Sequence, residues 1–101
     1  MRARGLKILL AVLLLSAWAC AYSVDLTWDP VAWPTTIKYH VWRSRTSGGP
    51  YVRRHGGKLT YWTDLYVKPG VTYYYVVTAF DSVTLQESGY SNECMVLIPT
   101  P

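Results

Sequence analysis

Charge, histidine, cysteine and phenylalanine are all scarce in this chain of 101 residues: Asp, Glu, Lys and Arg together make 16%, beside two His, two Cys and a single Phe. Neither histidine, His40 or His55, lies at a metal-ligand spacing from the other or from a cysteine, so the usual zinc patterns are excluded. No orienting acid or nucleophile stands beside either one, and the chain is read as a non-enzyme with no catalytic residue, cofactor or metal. Gly48-Gly49-Pro50 and Gly56-Gly57 run into strands rather than helices, so no phosphate-cradling loop is present. A long hydrophobic run is also missing. Ile8 to Ala21 is apolar but falls short of the ~20 residues of an upright transmembrane helix. There is no internal repeat, low-complexity tract, linker or sustained helical period.

What that apolar run does have is the right company for export. Arg2, Arg4 and Lys7 precede it without an acid, and small residues close it, which is the layout of a secretory signal peptide over residues 1–21. Three processing routes stay open. Ala17-Trp18-Ala19 suits a cut before Cys20, and Ala19-Cys20-Ala21 suits one before Tyr22. The third resembles a lipobox, with Cys20 lipidated and the protein held at a membrane by that anchor; Ala19 fits that pattern well, while Ala17 and Trp18 fit it poorly. The expected location is therefore secreted, periplasmic or lipid-anchored. Removing the leader also changes the charge. The precursor's net +4 and pI near 9.2 include Arg2, Arg4 and Lys7, whereas the remaining basic residues are nearly balanced by acids. A nucleic-acid partner is not expected on this ground.

Residues 22–101 read as one small domain, rich in aromatics and built of short alternating strands. Val24, Leu26 and Trp28 share one face, and Asp29-Pro30 stops the strand. Ile37, Tyr39 and Val41 point inward, with Lys38, His40 and Trp42 outward. Tyr51–Arg54 and a strand through Leu59, Tyr61 and Thr63 follow, and Cys94, Val96 and Ile98 share a face near the end. Such strands, separated by turn residues, spell an all-β, immunoglobulin-like antiparallel sandwich of six to seven strands behind an N-terminal hydrophobic signal helix. Val67, Tyr73, Tyr75 and Val77 complete the expected core. In the stretch "VKPGVTYYYVVTAFD", Tyr73 follows a Pro-Gly turn where a chain crosses between sheets. There its hydroxyl can return to the backbone as a tyrosine corner. Tyr75 fills core and Tyr74 faces outward, as do Val76 and Thr78.

These segments resemble the fibronectin type III domain over about Val24 to Pro99. "LTWDP" resembles its second strand with the core Trp, "IKYHVWRS" the third, and "VKPGVTY" its corner motif; "YYVVTAFD" and "ESGYSNE" before "CMVLIP" resemble the sixth strand and the approach to the seventh. The phrasing of the turn near Gly48 and of Tyr90-Ser91-Asn92-Glu93 is closest to bacterial and phage members. The resemblance implies a binding or adhesion module, here without the Arg-Gly-Asp tripeptide of some members. One departure stands out: the leader ends where strand A should begin, so strand A is missing or vestigial. A vacant edge invites a strand from a partner or a second copy. The alternative function is accordingly an accessory or assembly subunit completed by strand exchange. Cys20 and Cys94 should lie about a strand length apart, ~17–20 Å, too far for the ~7 Å that a disulfide spans.

Two surface features point to partners. Arg43, Arg45, Arg53, Arg54 and Lys58 cluster in one hairpin, with His40 and His55 nearby, a pattern suited to an acidic polymer or a membrane surface. Trp33, Trp42 and Trp62 are expected to be exposed, where flat rings suit sugars or a protein interface.

Overall fold

The computed structural model describes residues 8–15, 22–32 and 34–100; Cys20, Trp33 and the signal cleavage positions lie outside them. Seven strands form in chain order: β1 (Ile8–Leu15), β2 (Tyr22–Trp28), β3 (Ile37–Ser44), β4 (Val52–Gly57), β5 (Tyr61–Asp64), β6 (Thr72–Asp81) and β7 (Cys94–Leu97). They make two antiparallel sheets, β1-β2-β5 and β4-β3-β6-β7, packed face to face. Among the described residues no helix is long and apolar enough to cross a membrane.

Alternation sets the core. Val24, Leu26 and Trp28 of β2 meet Ile37, Tyr39 and Val41 of β3, with Tyr73, Tyr75, Val77 and Ala79 of β6 and Ile98 beyond β7. Val67 packs against this cluster partly buried. Each aliphatic side chain so enclosed contributes on the order of 1.5–3 kcal/mol. Trp28 meets Tyr39 edge-on at 5.9 Å, and the Tyr39 hydroxyl accepts a hydrogen bond from Val31 N–H at 2.8 Å, pinning the β2–β3 loop to the core. At the corner, Pro69 and Gly70 form the turn, and Gly70 sits at φ +76°, the left-handed conformation required at the third position of a type II turn. The Tyr73 hydroxyl accepts from Lys68 N–H at 2.9 Å, tying the turn to β6.

Two departures from strand arithmetic have physical causes. Val76 and Thr78 are buried although their parity points outward. The segment after β6 folds back along it, with Ser88 N–H donating to Ala79 O and Ser91 N–H to Val77 O, both at 2.9 Å. The side chains of Glu87 and Tyr90 then cover the outer face. The second departure concerns the A edge, expected to be vacant. In the full chain Ile8–Leu15 occupies it, pairing with β2 from Ile8↔Trp28 to Leu15↔Tyr22. An open row of backbone N–H and C=O groups on β2 is a template for any extended segment within reach, and the apolar run is the nearest one.

Candidate binding surface

The β3–β4 hairpin and its surroundings carry most of the basic residues, and the structure divides these into two groups. Arg43 is structural. Its Nη1 donates to Asp64 Oδ2 at 2.7 Å and to Tyr66 O at 2.9 Å, and its guanidinium lies 4.6 Å from the centroid of the Tyr73 ring. Asp64 is fully buried and also accepts from the Tyr75 hydroxyl at 2.8 Å and from Tyr66 N–H at 3.0 Å. Burial, and then the Asp64 charge, hold the Tyr75 hydroxyl firmly protonated, far above the ordinary tyrosine range. Asp64 was not singled out by sequence; the signal was an acid at an inward position of a strand, where only a buried cation makes it tolerable. Arg45, exposed, lies over the same Tyr73 ring at 6.0 Å.

Arg53, Arg54 and Lys58 form the second group, joined by Lys38. In the β3–β4 ladder Val41 pairs with His55 and Trp42 with Arg53, so Arg54 is the extra residue of a β-bulge. A bulge re-aims the side chains around it, and here it brings both arginines to the rim of one cleft. Gly56 stands opposite His40 and Gly57 opposite Tyr39, so neither position adds a side chain of its own, and the rings of His40 and His55 lie against them. A Cβ on Gly56 would lie 3.1 Å from His40 Cδ2. The result is an open cleft of about 650 Å³ lined by Lys38, His40, Arg53, Arg54, His55, Gly56, Gly57 and Lys58.

The two histidines are held rather than free. His40 Nδ1 donates to Glu87 Oε2 at 2.8 Å, and its ring stacks on Phe80 at 5.2 Å. Thr78 donates its hydroxyl proton to the same carboxylate and accepts from Trp42 Nε1 at 2.9 Å. Burial pushes the Glu87 pKa up, but hydrogen bonds from Thr78 and His40 and the His40 charge outweigh it, and the net shift is downward. His55 stacks on Trp62 at 5.2 Å with the rings 10° from parallel, bridging the edges of the two sheets.

The tryptophans expected as flat platforms are placed differently. Trp42 is half-buried, held by Thr78 and edge-on to Tyr90, and one face of half-buried Trp62 is taken by His55. Trp33, like Cys20, lies outside the described residues. Cys94 is free and half-buried, and burial raises its thiol pKa. Among the described residues no group of three or more His, Cys, Asp or Glu is arranged to hold a metal ion.

The sandwich has clear relatives. An Fn3-like protein from Clostridium thermocellum aligns at 31% identity and TM-score 0.68, over 96% of this chain and 91% of that one. The chain belongs to the fibronectin type III family. The human fibronectin type III domain containing protein 3 has a type III domain that shares the fold at TM-score 0.72 and 19% identity, covering 100% of this chain and 90% of that chain. A β-1,2-glucanase from Parabacteroides distasonis carries the same fold, at TM-score 0.67 and 24% identity over 97% of this chain but 13% of its own. The same fold thus also occurs as part of an enzyme. No family model matches this sequence, and no curated protein does.

Proposed function

We propose that this fibronectin type III domain is an exported, non-enzymatic binding module that engages a protein or glycan through the side of the sandwich built by β3 and β4. The observation that carries this reading is the set of cations left without a structural task. The side chains of Lys38, Arg54 and Lys58 have no ion pair or hydrogen bond among the described residues, while Arg43 on the same hairpin is consumed by Asp64. Unpaired charge that the fold does not need is available to a partner.

Export rests on the basic-then-apolar layout of residues 1–21. Intact mass and N-terminal sequencing of the protein from its own host separate the routes: a start at Tyr22 or Cys20 means release, and a heavier, blocked chain starting at Cys20 means a lipid anchor. Binding is tested with that same material against panels of purified glycans and surface proteins, beside an Arg53→Glu/Arg54→Glu variant. Saturable binding that the variant loses supports the reading; binding indifferent to the variant moves the contact elsewhere.

A second reading follows from β1. The residues that fill the A edge are those read as the leader. Processing would uncover β2, and the domain would then act as an accessory subunit completed by a strand from another chain, a second copy included.

A further inference from the structure

We propose that the cleft between β3 and β4 binds an acidic glycan, a polymer whose sugar rings carry carboxylate or sulfate groups; this rests on the binding-module reading and names its ligand class. Four cations, Lys38, Arg53, Arg54 and Lys58, surround the cleft, and the imidazoles of His40 and His55 stand at its wall. The acid beside it, Glu87, is already committed to Thr78 and His40 and is further offset by Arg53. The local field is therefore positive although the domain without its leader is nearly neutral.

Geometry narrows the class of anion. Arg54 and Lys58 stand on and just beyond an edge strand, with Cα atoms roughly 13 Å apart at the usual rise per residue. That spacing suits charges repeated along a polymer rather than one phosphate. Arginine offers a fork matched to a carboxylate or sulfate, with a charge-assisted hydrogen bond on each arm. A single-stranded nucleic acid draws much of its affinity from bases stacked on aromatic faces. Among the described residues no Trp, Tyr or Phe lines this cleft, and the nearby Trp62 has one face covered by the His55 ring. A protein partner is anchored by side chains seated in desolvated pockets, whereas this cleft is open and lined by cations, two imidazoles and the backbone of Gly56 and Gly57. Hydroxyl-rich rings bearing acids satisfy both backbone and cations.

The test uses the chain purified from its own host in whatever processed form it takes, with polygalacturonate, dextran sulfate, neutral dextran and oligothymidylate as probes. Expected are saturable binding to one or both acidic glycans, none to dextran, and weakening as salt rises. An Arg54→Glu/Lys58→Glu variant should bind at least about tenfold more weakly, each reversal replacing attraction with repulsion. Lys68→Glu, on a loop away from the cleft, should leave binding unchanged, and circular dichroism should show both variants folded. The carboxylated and sulfated polymers distinguish which acid is preferred. Tighter binding to oligothymidylate, equal competition by dextran, or an equal loss with Lys68→Glu would each overturn the proposal. A chain that binds a protein or neutral glycan but neither acidic polymer refutes the ligand class and leaves the module reading standing. One that binds nothing sinks both.

Discussion

Asp64 shows how a single residue divides structure from function on this domain. Its buried carboxylate gathers Arg43, the Tyr75 hydroxyl and the Tyr66 amide, so Arg43 is held by the core despite its place in a basic hairpin. Asp64→Ala should cost about 3 kcal/mol in urea unfolding, because it strands a largely buried guanidinium and a buried hydroxyl. Tyr75→Phe, which removes one of several donors, should cost less, about 1–2 kcal/mol. A ranking in the opposite order would show that the carboxylate is not the hub. Leu85 supplies a test of the other sign. It is exposed at φ 63°, in the left-handed region that a leucine enters at a cost. Leu85→Asn should stabilise by roughly 0.5–1 kcal/mol, since asparagine tolerates that conformation and no core contact is lost; an unchanged or lower melting point would count against strain there.

Three hydrogen-bonded carboxylates give the residue scale its pH dependence. Glu93 is held below its ordinary 4.5 by the Tyr51 hydroxyl first, then by Gly48 N–H and the Ser47 hydroxyl. Asp81 is lowered mainly by Val83 N–H and the Thr36 hydroxyl, and Glu87 as described above. For the same reason, after burial, Tyr51 is pushed up to about 12. A carboxylate whose folded pKa is depressed stabilises fully at pH above its unfolded value, and that contribution disappears as pH falls through the folded value. Stability should therefore be level near neutrality and decline below about pH 4.5, with Glu93→Gln flattening part of the decline. A stability that rises on acidification over that range would contradict this sign.

At the scale of elements, β1 decides the edge of the smaller sheet. A chain beginning at Tyr22 leaves β2 with one side of its backbone unpaired over Tyr22–Trp28. It should lose stability relative to the full chain and self-associate with rising concentration, as read by light scattering coupled to size exclusion. A strictly monomeric domain of undiminished stability would remove the strand-exchange reading. The β6 corner is a second element with one controlling atom. Tyr73→Phe deletes the acceptor for Lys68 N–H and should cost about 1 kcal/mol while leaving the fold intact. The corner was legible in sequence as a Pro-Gly turn before a tyrosine, whereas the pairing of Ile8–Leu15 with β2 was not, because reading that run as a leader left the edge vacant. The bulge at Arg54 was not legible either. A bulge is a count of residues against a partner strand, and no single strand carries that count.

For the whole molecule, local chemistry in the sequence determined the class and most of the layout. Period-two alternation through Val24-Leu26-Trp28 and Tyr73-Tyr75-Val77, with Gly and Pro at the turns, admits an antiparallel sandwich, because one face of each strand must leave water. Relatedness to the Fn3-like protein agrees with that architecture. Tertiary structure decided what alternation cannot express. It buried Val76 and Thr78 by folding residues after β6 back along that strand. It spent Arg43 on Asp64 and left Lys38, Arg54 and Lys58 around a cleft that Gly56 and Gly57 also line. It also closed Trp42 and Trp62 into ring contacts with Tyr90 and His55. The physical reason is one of range: a strand's pattern is set by its own residues, whereas the fate of a charge or a ring depends on which distant side chain the packing brings within a few ångströms.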